Sequence, residues 1–119
     1  MKINAILVAI LNKRKMSVLM NLAMFPTDKG TSVSSEVSKV IKMISESGAD
    51  YKLSAMSTVV ETETMEEALQ IVQKAYDILN PNSDRIYSAI TFDIQNNKKG
   101  SRIKSKIASV ESKIGEINK

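Results

Sequence analysis

Residues 17–25 read SVLMNLAMF, and the alternation within this one stretch decides the fold. Side chains of a strand point to opposite faces with period two. Val18, Met20, Leu22 and Met24 therefore share one face, and Leu19, Asn21, Ala23 and Phe25 share the other. Both sets are largely apolar, the mark of a strand covered on both sides and so central in its sheet. Pro26 ends the strand, and Asp28-Lys29-Gly30 makes a turn.

Moving outward toward the C-terminus, Ser32 is the expected N-cap of a first helix. Val33, Val37, Val40, Ile41 and Ile44 form its apolar stripe, with Ser35, Glu36, Lys39, Lys42 and Glu46 opposite. Gly48 supplies the left-handed residue that closes such a helix. Residues 51–61, YKLSAMSTVVE, carry β-formers at both ends. They read either as one long strand or as two short strands with a tight bend near Ala55-Met56-Ser57. No Asn-Gly or Asp-Gly marks that bend.

Thr64-Met65-Glu66-Glu67 is a capping box, in which the Thr64 hydroxyl accepts from the Glu67 N–H and the Glu67 carboxylate reaches back to the Thr64 N–H. Met65, Leu69, Val72, Tyr76 and Leu79, supported by Ala68 and Ala75, form the stripe of this second helix, and Asn80-Pro81 stops it. Residues 85–94 alternate again, with Ile86, Ser88, Ile90, Phe92 and Ile94 on one face and Tyr87, Ala89, Thr91 and Asp93 on the other. A loop at Asn96, Asn97 and Gly100 leads to a last helix with Ile103, Ile107, Val110, Ile114 and Ile117 at helical spacing.

The order from Ser17 onward is strand, helix, strand-strand, helix, strand, and an added helix. This predicts an α+β domain, a ferredoxin-like βαββαβ sandwich with an extra C-terminal helix. Two helices cover one face of a four-stranded antiparallel sheet. Whichever face of residues 17–25 points away from them is apolar, and such a patch left open is a liability in a monomer. A second copy is therefore expected to cover it, giving a dimer or larger homo-oligomer. The terminal helix either adds to that contact or packs on its own subunit.

Residues 1–15, MKINAILVAILNKRK, read as a separate extension ahead of a domain at 16–119. The apolar run is far short of the ~20 residues a membrane span needs. The basic cluster Lys13-Arg14-Lys15 follows that run, the reverse of a signal peptide's order. An upstream start or appended segment is the expectation, with a membrane-surface or partner-docking segment as the alternative.

Composition removes whole classes of chemistry. The 119 residues contain neither cysteine nor histidine. Thiolate nucleophiles, Ser-His-Asp and Cys-His mechanisms and cysteine-ligated metals are thereby excluded. The net charge of +4 is uneven: residues 16–97 carry six basic and eleven acidic side chains, so the basic excess lies at the two ends. With aromatics at only 4%, this argues against a nucleic-acid-binding core. Seven methionines are core filler, and the run Lys98, Lys99, Arg102, Lys104 and Lys106 reads as a solvated charge face.

Three polar residues interrupt apolar surroundings: Asn21, Glu61 and Asp93. A buried amide needs a hydrogen bond, so Asn21 calls for a partner across the sheet, at an interface or on a ligand. Glu61 and Asp93 read as solvated strand ends.

Met16-Ser17-Val18 opening a strand that closes Met24-Phe25-Pro26, then Ser32-Val33-Ser34 into a helix, then Tyr51-Lys52-Leu53-Ser54-Ala55-Met56-Ser57-Thr58-Val59-Val60-Glu61, resembles the small thiamine-binding protein family. The likeness runs from Met16 to about Gly115 and includes the helix Arg102…Val110…Gly115. The chain departs from the family pattern at Ala55-Met56-Ser57, where members often read Pro-Met-Gly, and at Asn21, where many carry an acid. The resemblance implies a ferredoxin-like fold, dimers combining into tetramers, and cytoplasmic binding of thiamine or its hydroxymethylpyrimidine half without turnover. No cofactor, metal, nucleic-acid or membrane partner is expected from the residues themselves.

Thiamine is a cation with a flat donor–acceptor ring, which asks for apolar walls and a few placed polar groups. Phe25, Tyr51 and Met56 are the expected walls; Asn21, Ser57 and Thr58 pair with the pyrimidine edge; Glu61 balances the thiazolium charge. Two other readings stand beside this one: an oligomeric regulatory or interaction module, and a metal-dependent carboxylate enzyme built on Glu61 and Asp93.

Overall fold

A computed structural model describes residues 16–30, 33–98 and 100–119. The expectations placed on residues 1–15 and on Ser32 as an N-cap lie outside the described residues. The chain runs β1 (Ser17–Pro26), α1 (Ser34–Glu46), β2 (Asp50–Leu53), β3 (Thr58–Thr62), α2 (Met65–Leu79), a 3-10 turn (Asn80–Asn82), β4 (Ile86–Gln95) and α3 (Arg102–Ile114). The sheet order is β2-β3-β1-β4, antiparallel throughout, as a ferredoxin-like fold requires. β1 is central, as its two apolar faces predict.

Val18, Met20, Leu22 and Met24 are the set that faces the helices, and all four are buried. They meet Val40 and Ile44 from α1 and Ala68, Ile71, Ala75 and Leu79 from α2. The inward face of α2 is turned from the one its large residues suggest. Leu69 and Tyr76 are exposed, while Ala68 and Ala75 are fully buried. The alanines let the helix approach the sheet closely, and the bulkier neighbours are displaced to the flanks.

Local chemistry explains the ends. Gly48 has φ +85 after α1, the left-handed closure expected there. Val33 caps α1 without a side-chain hydrogen bond. Thr64 caps α2, its Oγ1 accepting from the Glu67 N–H at 3.1 Å. The Glu67 carboxylate does not reach the Thr64 N–H but accepts from the Thr64 hydroxyl, at 3.1 Å. Thr64→Ala removes this cap and is expected to lower the unfolding free energy by about 0.5–2 kcal/mol, read from urea unfolding.

Residues 51–61 form two strands. The Ser54 N–H donates to the Ser57 carbonyl at 2.9 Å, and the Ser54 hydroxyl accepts from the Ser57 N–H at 3.3 Å. A serine side chain therefore closes the bend where the usual turn residues are missing. The hairpin is short, and this leaves β1 longer than its neighbour: β1 pairs with β3 only from Val18 to Leu22, but with β4 along its whole length.

Candidate functional site

That difference in length creates a notch. Beyond Leu22 the β3 side of β1 faces the tip of the hairpin instead of another strand. A cleft of about 490 Å³ occupies the space between β1, the hairpin tip and the first half of α1. Its walls are mainly apolar, with Met24, Phe25, Val37, Ile41, Leu53 and Met56 among them. The size lies within the range of small-molecule sites.

Four of the seven residues singled out from the sequence line this cleft: Phe25, Met56, Ser57 and Thr58. Met56 is 88% exposed at the hairpin tip, a wall with no protein behind it. Asn21 joins them through Ser57, whose hydroxyl donates to Asn21 Oδ1 at 2.7 Å. Asn21 is exposed, not buried, because Leu19, Asn21, Ala23 and Phe25 form the sheet face that the helices do not cover. The hydrogen bond expected for Asn21 is made to the hairpin bend beside β1, and among the described residues its amide nitrogen has no partner. Tyr51 lies on β2 opposite Val60, outside the lining of the cleft.

Glu61 is not brought together with the others, and here the sequence reading is corrected. It is only 6% exposed. Its carboxylate accepts from the Ser17 hydroxyl at 2.5 Å and from the backbone N–H groups of Arg102 at 2.9 Å and Ile103 at 3.3 Å. It thus caps α3 from a distant strand, where the positive end of the helix favours an anion. Gly100 makes room for it, since a Cβ there would stand 3.3 Å from Oε2. Its lone pairs are committed to the fold, so it is not a solvated strand end either.

Arg102, read from the sequence as part of a solvated charge run, is 1% exposed and sits beside Glu61. Its Nε donates to Ser17 Oγ at 2.9 Å, and its Nη2 to the carbonyls of Ser17 at 2.8 Å and Asp93 at 2.6 Å. Nη1 makes no directed hydrogen bond but faces Asp93 Oδ2 as an ion pair at 3.2 Å. Lys106 also reaches Asp93 Oδ2, at 3.1 Å. Lys106 and, after it, Arg102 hold the Asp93 carboxyl below the ordinary carboxylate range. Asp93 is thus the half-exposed strand end expected, with two cations attached.

The first turn of α3 therefore clasps one end of the uncovered sheet face, and the cleft opens at the other end. Val110 and Ile114, farther along α3, are 45% and 71% exposed. A second cleft of about 400 Å³ lies at the clasped end, lined by Asp50, Glu63, Glu67 and Lys74 with Glu61. It gathers none of the other six singled-out residues. Among the described residues no group of three His, Cys, Asp or Glu side chains is placed to hold a metal ion, and no helix is long and apolar enough to cross a membrane.

Comparison with known proteins agrees with the fold. Residues 20–111 match the family model described as thiamine-binding protein. A UPF0045 protein of Methanothermobacter thermautotrophicus is 29% identical over 85 residues, covering 71% of this chain and 85% of that one. The crystal structure of the protein MJ1052 from Methanocaldococcus jannascii superposes with a TM-score of 0.70 at 26% identity, over 79% of this chain and 95% of that chain. TM0486 of Thermotoga maritima, a proposed thiamine biosynthesis/salvage protein, superposes with a TM-score of 0.62 at 22% identity, over 79% of this chain and 98% of that one.

Proposed function

The chain belongs to the thiamine-binding protein family, and on that premise we propose that it is a non-catalytic cytoplasmic binding protein for thiamine or its hydroxymethylpyrimidine half, holding the ligand beside a subunit interface. The observation that carries this reading is the apolar cleft at the end of β1, which gathers Phe25, Met56, Ser57 and Thr58 and has the Asn21–Ser57 pair at its rim. Val37 and Ile41 offer an apolar surface to a flat ring, and the rim offers a hydroxyl and an amide to its polar edge. The absence of histidine and cysteine from the sequence supports binding without turnover.

The interface part of the proposal rests on surface that a lone chain leaves wet. Leu19, Ala23 and Phe25 on the uncovered face are only half-buried, and Tyr87 beside them is exposed. With Val110 and Ile114 of α3 they extend an apolar surface that a second copy would cover. Because Ala23 and Phe25 also line the cleft, that copy would close its open side.

A thermal melt tests the binding. A ligand at a hundred times its Kd stabilises the folded state by about 2.7 kcal/mol. For a domain of this size that raises Tm by on the order of 10 °C. Thiamine and hydroxymethylpyrimidine are each expected to do so at saturation. A Tm unchanged by both would overturn the binding function in favour of an interaction module.

A further inference from the structure

Beyond Leu22 the notch leaves main chain of β1 without a strand partner on the β3 side. The Thr27 N–H donates to the Arg85 carbonyl, at 2.9 Å, just past the end of β1. In an extended strand the N–H and C=O of one residue point to the same side, and successive residues alternate. Odd-numbered residues of β1 therefore direct their amides and carbonyls to β4, and even-numbered ones to β3. Leu22 is the last even-numbered residue with a β3 partner, namely Thr58. The N–H and C=O of Met24 point to the side that β3 does not reach. Among the described residues, no loop or turn contact supplies either group with a hydrogen bond.

Met24 is 8% exposed and lines the cleft. An unpaired peptide group costs about 1–3 kcal/mol once it is shut away from water, so whatever fills this cleft must supply its hydrogen bonds. This residue holds an adjacent donor and acceptor at the wall of a mainly apolar cavity.

We infer that the Met24 main chain is the recognition element of the cleft, pairing edge-on with a planar heterocycle that carries a ring-nitrogen acceptor next to an exocyclic amine. The Met24 N–H donates to the ring nitrogen, and the amine donates to the Met24 carbonyl. The ligand extends the sheet where β3 stops, as an added strand would. One ring face then lies toward Val37 and Ile41, and the other toward the uncovered side of the sheet. This places an aminopyrimidine edge, rather than a thiazolium, at the inner end of the cleft. The inference rests on the proposed ligand-binding role of the same cleft and adds which atoms read the ligand.

Amide hydrogen exchange followed by NMR on the full chain tests it, with thiamine, hydroxymethylpyrimidine and 4-aminopyrimidine as probes. In the free protein the Met24 amide is expected to exchange faster than the ladder amides of Leu22 and Phe25. Each probe at saturation is expected to slow it at least tenfold and to leave those two neighbours little changed. Met24→Pro removes the N–H on a side where no strand needs it, and is expected to weaken thiamine binding tenfold or more. Met24→Leu keeps the peptide and is expected to bind as the unaltered chain does. If thiamine raises Tm while Met24 exchange is unaffected, or if the free Met24 amide is already as protected as the ladder, this inference fails and the binding function survives. If no probe changes either Tm or exchange, both fall.

Discussion

Arg102→Ala is expected to lower the unfolding free energy by about 3–5 kcal/mol, the usual result of removing one member of a buried charged network. The guanidinium is the sole side chain that ties the start of α3 to both β1 and β4 among the hydrogen bonds of the described residues. Its removal takes the second donor from the carbonyls of Ser17 and Asp93, which keep their ladder partners Gln95 and Leu19, and leaves Ser17 Oγ with only Glu61. Arg102→Lys should recover little, because an ammonium cannot reproduce a planar fork aimed at three acceptors. Glu61→Gln keeps the shape and an acceptor for the helix N–H groups, so its loss should be smaller, about 1.5–3 kcal/mol. Urea midpoints for the three variants give the ranking. A loss under about 1 kcal/mol for Arg102→Ala would mean that α3 is held by something other than this clasp.

The same network makes a prediction in pH. Asp93 has its folded pKa depressed, by Lys106 first and then by Arg102. A depressed carboxyl contributes stability above its unfolded value, roughly pH 4, and loses it as pH falls through the lower folded value. In Arg102→Ala the Lys106 contribution remains and the Arg102 contribution is gone. The Asp93 carboxyl should then titrate at a higher pH, still below the unfolded value, which the chemical shift of its carboxyl carbon reports directly.

Ala89→Asp is the second change expected to have a large effect, on assembly rather than on the fold of one chain. Ala89 pairs with Ala23 across β1 and β4 on the uncovered face, and is exposed in the lone chain. It does not line the cleft. A carboxylate there costs little in a monomer, since substitutions on an open surface usually stay within about 0.5 kcal/mol. Against a second copy it is a buried charge without a partner, worth several kcal/mol, and a two-fold contact brings it in twice. The unaltered chain is expected to sediment at micromolar concentration as a dimer or larger, and Ala89→Asp as a monomer with unchanged helical content. Its thiamine-induced rise in Tm should shrink, because one side of the cleft would be left open. An unaltered chain that sediments as a monomer would remove the interface from the proposed function.

Reading residue patterns reached far into this molecule, and the points where it stopped share a cause. The two faces of β1, the stripe of α1, the cap at Thr64 and the alternation of β4 are local, each carried by residues a few positions apart. The turn at Ser54–Ser57 was only half legible, because its closure depends on one hydroxyl standing in for the usual glycine. The rotation of α2 onto its alanines was hidden, because hydrophobicity ranks Leu69 above Ala68 and is blind to how closely a helix can approach a sheet. Arg102 and Glu61 were misread most completely. Their partners lie 85 and 41 positions away, and neighbours in the chain say nothing of such contacts.

Sequence alone determined the order of elements, the central place of β1 and the chemistry that a chain without histidine or cysteine cannot perform. These follow from periodicity and composition, which act over a few residues at a time. Only the tertiary structure decided which polar groups were spent on the fold and which were left over. That division depends on distances between strands and helices remote in the chain. By it, Glu61 was tied to α3, while the Met24 peptide beside the cleft was left without a hydrogen-bond partner among the described residues.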